Sequence, residues 1–264
     1  MKKEFQCEVL YQECLRENCY RMVLKTDDDV IKSARPGQFV HLKINKVGGP
    51  LLRRPFSIHQ VDRKNNTISL LYAVVGQGTQ IMAADLPGKT VDVLGPLGTG
   101  FPVLKSHQHH VILIGGGMGV APLLFAATKL VDEGKQVTVI MGFPSKDETV
   151  LKCDFQQLGI DVLLATDDGS VGFFGFPTDL LEKRLLENGA DAVFACGPHA
   201  MLKSVADVCS KTGVDAWVSM EERMACGIGA CLGCVVQLTE QAGGSYQKAC
   251  VDGPVFKASE VLFE

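Results

Sequence analysis

Four cysteines lie close together late in the chain: Cys226-Gly-Ile-Gly-Ala-Cys231-Leu-Gly-Cys234, a C-x4-C-x2-C run, with Cys250 following alone. Two chemistries draw on four thiolates, a structural zinc ion and an iron–sulfur cluster. Zinc sites usually offer two C-x2-4-C knuckles on separate turns. Here three ligands share one loop and the fourth stands apart, which is the plant-type [2Fe–2S] arrangement. Gly227, Gly229 and Gly233 let such a loop fold tightly and aim backbone N–H groups at sulfur. No histidine follows His199, so mixed Cys/His zinc and Rieske ligation have no local donor. The last spacing is shorter than in ferredoxins, so that fold is not implied. Zinc, or four buried thiols packed as small hydrophobes, stays open as an alternative.

Two further patterns suit nucleotide chemistry. In Val111-Ile-Leu-Ile-Gly115-Gly116-Gly117-Met-Gly119-Val-Ala-Pro122 a strand runs through glycines towards a helix. Such a turn lets phosphates approach the backbone beside a helix N-terminus. The dinucleotide fingerprint is incomplete, because Val120 stands where a third glycine belongs and the next strand ends Met141-Gly142-Phe143 without an acid for a ribose. A plain strand–helix turn therefore stays open. Earlier, Arg53-Arg54-Pro55-Phe56-Ser57 combines a guanidinium fork for phosphate, an aromatic surface and a short hydroxyl. Leu71-Tyr72-Ala73 runs into Gly76-Gln77-Gly78-Thr79, where Thr79 is placed to cap the next helix.

The elements that must position these groups fall into three regions. Residues 1–102 read as a small β barrel or sandwich, with apolar runs at 38–44, 58–61 and 68–75. Turn signals at Pro36-Gly37, Gly48-Gly49-Pro50 and Asn65-Asn66 separate them, and one helical stretch, 79–86, carries Ile81, Met82 and Leu86. After the punctuated segment 94–100, residues 103–218 alternate strands (111–114, 137–141, 162–165, 192–196, 216–219) with helices, including 198–211. That alternation predicts a doubly wound α/β parallel sheet. Residues 219–264 are a cysteine- and glycine-rich segment too short for its own core.

Composition narrows the class. The chain has 264 residues, 46% hydrophobic and 21% charged, with 26 Lys+Arg against 30 Asp+Glu. Such a chain supports a globular fold of about two domains, and no clustered basic surface favours nucleic acid. The uncharged stretch 111–128 is long enough to raise a membrane span, but Pro122 and four glycines favour a strand, turn and buried helix. The N-terminus reads as no secretory signal, so a soluble, cytoplasmic protein with ten thiols in a reducing compartment is expected.

Arg54-Pro-Phe-Ser57, the glycine turn and Cys196-Gly197-Pro198 together resemble the ferredoxin–NADP reductase superfamily. The run from Ser219 to Cys234, with Glu221-Glu222-Arg223 before the cysteines, is similar to the electron-transfer subunits of NAD-dependent (type B) dihydroorotate dehydrogenase, and the likeness covers essentially the whole chain. The resemblance implies FAD held by Arg54 (pyrophosphate), Pro55, Phe56, Ser57 (near flavin N5), Leu71, Tyr72, Ala73, Gly78 and Thr79. It implies NAD(H) as substrate at Gly115, Gly116, Gly117, Gly119, Pro122, Cys196, Gly197 and Pro198, and a [2Fe–2S] cluster on Cys226, Cys231, Cys234 and Cys250. Thr166-Asp-Asp-Gly169 matches a family loop without an assigned contact, and Lys146 is a candidate for a 2′-phosphate, although the resemblance favours NAD. Many relatives carry Tyr where Phe56 stands.

The implied function is electron transfer between NAD(H) and the FMN of a separate dihydroorotate dehydrogenase catalytic subunit, in pyrimidine (UMP) biosynthesis. The implied assembly is a heterotetramer of two of each, with no dihydroorotate site in this chain. An NAD(P)H reductase, or a hydrogenase or glutamate-synthase electron-transfer subunit, shares the first two domains. A zinc-stabilised nucleotide-binding regulator is the reading from another class.

Overall fold

A computed structural model describes residues 3–44, 49–85 and 87–263. Gly48 and Leu86 of the turn and helix expectations lie outside them. The first region closes into an antiparallel barrel of β1 (Lys3–Arg16), β2 (Cys19–Lys25), β3 (Phe39–Lys43), β4 (Arg54–Asp62), β5 (Thr67–Ala73) and β6 (Thr90–Leu97). Their order is β1-β2-β5-β4-β3-β6. Helices α1 (Asp28–Ser33) and α2 (Gln77–Asp85) lie in its connections. Strand alternation sorts the side chains. On β3, Val40 and Leu42 join the barrel core, whereas Phe39 joins the core under the second domain. Strands β1 and β2 and helix α1 were not read from the sequence, and β6 takes in Leu94–Leu97 of the segment read as punctuation.

The second sheet contains β7 (His110–Gly116), β8 (Gln136–Phe143), β9 (Asp161–Thr166), β10 (Phe173–Phe174), β11 (Ala192–Cys196) and β12 (Ala216–Ser219). Helices α3 (Leu123–Asp132), α4 (Lys152–Gln157), α5 (Pro177–Asn188) and α6 (His199–Thr212) cover it. On β7, Val111 and Leu113 face one core and Ile112 and Ile114 the other, which is why the run is apolar throughout.

The tail adds a hairpin, β13 (Val235–Gln237) and β14 (Tyr246–Lys248), and a last strand, β15 (Val255–Lys257). The sheet order is β10-β9-β8-β7-β11-β12-β15. Its pairs are parallel except β12 with β15, where Trp217 lies opposite Lys257. The parallel sheet expected over 103–218 stands, and the tail adds one antiparallel edge strand to it, packing Cys234, Val236, Cys250 and Phe256 into the sheet's own core. Among the described residues no helix is long and apolar enough to cross a membrane. The stretch 111–128 divides into β7, a 3-10 turn and the start of α3.

One buried histidine ties barrel to sheet. Nδ1 of His59, on β4, lies 2.7 Å from the carbonyl oxygen of Ala121. A carbonyl can only accept, so Nδ1 carries the proton. Burial lowers the His59 pKa from 6.5 to about 4, against the Ala121 bond that raises it. The unfolded chain therefore takes up the proton first as pH falls. His59 leaves stability intact above about pH 6.5 and withdraws about 3 kcal/mol as pH drops towards 4. In His59→Gln, whose amide donates without titrating, the melting temperature should fall less steeply over that window. Equal slopes for both proteins would refute the assignment.

Candidate functional site

A cleft of about 690 Å³ opens between barrel and sheet. Its barrel wall is made by neighbouring strands and one helix start. Arg54, Pro55, Phe56 and Ser57 come from β4, and Leu71, Tyr72 and Ala73 from β5. The Phe56 and Tyr72 rings sit 5.8 Å apart, and the Tyr72 hydroxyl donates to Gln12 Oε1 at 2.8 Å. That leaves Phe56 as the aromatic surface with no hydroxyl of its own.

The paired arginines separate in role. Arg53 turns away to Asp92 at 2.9 Å and to Glu4. Arg54 lines the cleft, and no carboxylate among the described residues pairs with it. Gly78, at the start of α2, leaves room for it: a Cβ there would lie 2.9 Å from Arg54 Nε. Thr79 lines the cleft too, but it lies inside α2 and not at its cap. Its hydroxyl accepts from the N–H of Val75 at 2.9 Å and of Gly76 at 3.2 Å, bracing the loop from the third helical position.

The sheet wall lies where the strand order changes direction, between β7 and β11, the crevice in which doubly wound sheets bind ligands. Gly116, Gly117, Gly119 and Pro122 line it from one side and Cys196, Gly197 and Pro198 from the other. Two expectations change. A 3-10 turn, Gly117–Val120, follows β7, and the α-helix begins only at Leu123. Gly115 does not line the cleft, since it is a packing glycine whose Cβ would meet Val120 at 2.8 Å and Leu123 at 2.9 Å. Gly119 is the closest approach: a Cβ there would stand 2.3 Å from the carbonyl oxygen of Cys196. Burial pushes the Cys196 thiol up to about 12, partly offset by Ser219. It is a neutral wall group and not a thiolate.

The cysteine loop folds beside this cleft. Gly227 and Gly229 have φ of +68° and +87°, conformations that side chains resist. The turn brings the N–H of Cys231 to 3.3 Å from Cys226 Sγ. That N–H, with those of Ile228 and Ala230 and the Cys231 thiol, draws the Cys226 pKa down to about 6 against burial. Cys250 rises to about 11 through burial and through the Cys234 thiol beside it. The Gly229 N–H donates towards Cys250, and the Cys226 charge also acts on it. Among the described residues no three His, Cys, Asp or Glu side chains gather as a site for one metal ion. Four cysteines with backbone donors aimed at both Cys226 and Cys250 fit an iron–sulfur cluster, whose sulfurs need such donors, better than one tetrahedral ion.

A family profile described as the iron-sulfur cluster binding domain of dihydroorotate dehydrogenase B matches residues 221–262, and one described as an oxidoreductase NAD-binding domain matches 113–207. A curated relative from Desulforamulus reducens, "Dihydroorotate dehydrogenase B (NAD(+)), electron transfer subunit", is 39% identical over 266 residues, with all of both chains covered. The chain belongs to this family of electron transfer subunits. The Bacillus cereus member is 43% identical over 96% of each chain. Among solved structures, the NADH-dependent reduced ferredoxin-NADP oxidoreductase superposes with a TM-score of 0.86 at 31% identity, covering 97% of this chain and 90% of that one. The ferredoxin reductase of carbazole 1,9a-dioxygenase shares the fold, with a TM-score of 0.70 at 21% identity over 81% of this chain and 67% of the other.

Within the family frame, the residues missed by sequence reasoning become intelligible. Ser219, Met220, Glu221, Glu222 and Met224 line the cleft, as does Pro254. In the sequence Glu221-Glu222 stands out only as a mark of resemblance. The signal that could have placed it was the end of β12, since strand ends carry ligands in this sheet type. Burial holds the Glu222 carboxyl above its usual range. Thr166-Asp-Asp-Gly169 follows β9, with the Asp167 N–H donating to Phe143 at 3.1 Å. Lys146 lies beside it, exposed, its backbone N–H donating to Ser170 Oγ at 2.8 Å. Neither lines the cleft.

Proposed function

We propose that this chain is the electron-transfer half of an NAD-dependent dihydroorotate dehydrogenase, joining NAD(H) to the FMN of a separate catalytic subunit, with the two chains paired as a heterotetramer of two of each. In this reading residues 1–102 hold FAD, 103–218 receive NAD(H), and 219–264 hold a [2Fe–2S] cluster on Cys226, Cys231, Cys234 and Cys250. The observation that carries it is one continuous segment. Ser219 to Glu222 and Met224 line the cleft and lead into Cys226, which supports two redox sites that share a wall.

When bound, FAD exchanges a hydride with nicotinamide and the cluster passes single electrons. The chain's own residues orient and shield that exchange. Arg54, whose guanidinium donates to the Leu52 carbonyl and meets no carboxylate among the described residues, would hold the FAD pyrophosphate. Phe56 packs on the flavin ring, with Ser57 beside it at the hydride-accepting edge. The turn at Gly116–Gly119 and Cys196-Gly197-Pro198 enclose the nicotinamide. The backbone donors around Cys226 stabilise thiolate, the form that ligates iron.

Purified chain mixed with the FMN-containing catalytic subunit should form orotate and NADH from dihydroorotate and NAD+, and neither chain alone should. Activity of the catalytic subunit unaided with NAD+ would refute the division of labour. The likeness to NADH-dependent reduced ferredoxin-NADP oxidoreductase supports a second reading, in which the same cofactors serve another partner. Reduction of ferredoxin, with no orotate formed in the mixture, would favour it. Within this chain, Arg54→Ala should weaken FAD by roughly tenfold or more, since hydrogen bonds to charged groups contribute about 1.5–3 kcal/mol. Iron content should change little. Unchanged flavin affinity would count against the pyrophosphate role.

A further inference from the structure

The chemistry of the cysteine loop does not end with its own backbone donors. His41 lies on β3, is fully buried at 0% exposure, and neither ring nitrogen has a hydrogen-bond partner among the described residues. An orphaned buried imidazole is destabilising unless a bound group satisfies it. Its position says what that is. A Cβ on Gly227 would stand 2.6 Å from His41 Nδ1 and 2.8 Å from Cε1, so the Nδ1 side of the ring abuts the residue after Cys226. Alternation on β3 turns Val40 and Leu42 into the barrel and leaves His41 on the other face with Phe39, whose ring meets it edge-on at 5.7 Å. Phe39 belongs to the same core as Cys234 and Cys250. On the backbone, His41 pairs with Pro55, a wall residue of the cleft. The histidine thus sits between the flavin strand and the cysteine loop.

The charge state suits a donor. Burial, and then the nearby Arg53, lower the His41 pKa to about 4, leaving a neutral ring with one N–H at neutral pH. The chain already offers four cysteines for the cluster, so a ligand role for His41 is not called for.

We propose that His41 is a positioning residue for the iron–sulfur centre, whose ring N–H donates to a sulfur at the Cys226 side and raises the reduction potential. The inference rests on the reading that the four cysteines hold the cluster. A donor at sulfur stabilises the more negative, reduced cluster, so its removal should make reduction harder.

Pulsed EPR on NADH- or dithionite-reduced wild-type protein, labelled with ¹⁵N only at histidine, reads the contact directly. Weak nitrogen coupling, below that of an iron-bound imidazole, is expected. No coupling, or coupling of ligand strength, overturns the proposal. Redox titration supplies the second readout. His41→Leu should lower the cluster's one-electron equilibrium constant for reduction about tenfold, a midpoint about 59 mV more negative. His41→Gln, which keeps an N–H donor, should recover part of that shift. An unchanged midpoint in His41→Leu at full iron content overturns the proposal, and so does loss of iron in both variants. Iron and sulfide are measured on every sample. Wild type lacking them overturns the cluster reading itself, whereas full wild-type iron without nitrogen coupling overturns the His41 assignment alone.

Discussion

Replacing Cys231 with serine is expected to strip iron and sulfide from the chain while FAD stays bound. Cys231 and Cys226 are the half-buried cysteines of the loop, linked by the Cys231 N–H to Cys226 Sγ contact at 3.3 Å. A serine hydroxyl keeps that backbone geometry but offers iron a far weaker donor than thiolate. The wall proposed for FAD comes from β4, β5 and the start of α2, which do not include the loop. NADH should still bleach the flavin in the variant, and electrons should no longer reach the catalytic subunit. Colorimetric iron and sulfide with flavin released by heat settle the matter on one sample. Full iron and sulfide in Cys231→Ser would remove Cys231 from the ligand set.

Gly119→Ala should disable the nicotinamide side while sparing both cofactors. The new Cβ would lie 2.3 Å from Cys196 O, 2.5 Å from Cys196 C and 2.6 Å from Gly197 Cα. All three are backbone atoms, so the turn or the end of β11 must move. Overpacking of this kind costs about 1–3 kcal/mol of stability. The functional loss should be larger, because the two displaced segments face each other across the proposed hydride site. A misplacement of about 1 Å costs on the order of 10²-fold in rate. Stopped-flow reduction of flavin by NADH should therefore slow about a hundredfold. Reduction by dithionite, flavin content and iron content should be unaltered. A wild-type rate with NADH would show that the turn does not position the nicotinamide.

Much of the cleft was legible because its motifs are local. Arg54 to Ser57, Leu71 to Ala73 and Cys196 to Pro198 each occupy one strand end, and strand ends in these two fold types converge. What escaped were features made by return of the chain. β15 is three residues long, too short to show a period, yet it brings the tail back to the sheet edge. In β1 the alternation of Phe5, Cys7 and Val9 is broken by a register shift between Val9 and Tyr11, so a 14-residue strand reads as irregular. The absence of a histidine after His199 excluded one only along the chain. In space, β3 delivers His41 to Gly227. Gly115 shows the converse. Its type matched a phosphate turn, but packing against Val120 and Leu123 explains it.

The central claim is that one chain receives an electron pair from NADH and releases it singly through its own cysteine centre. Anaerobic titration of the purified chain with NADH, followed by absorbance and EPR, with flavin, iron and sulfide quantified, tests it most directly. The account predicts bound FAD, two irons and two sulfides per chain, and a reduced [2Fe–2S] signal that appears as the flavin bleaches. Flavin that bleaches without an iron signal would leave an ordinary reductase. Colourless, folded protein with stoichiometric zinc would contradict the account altogether.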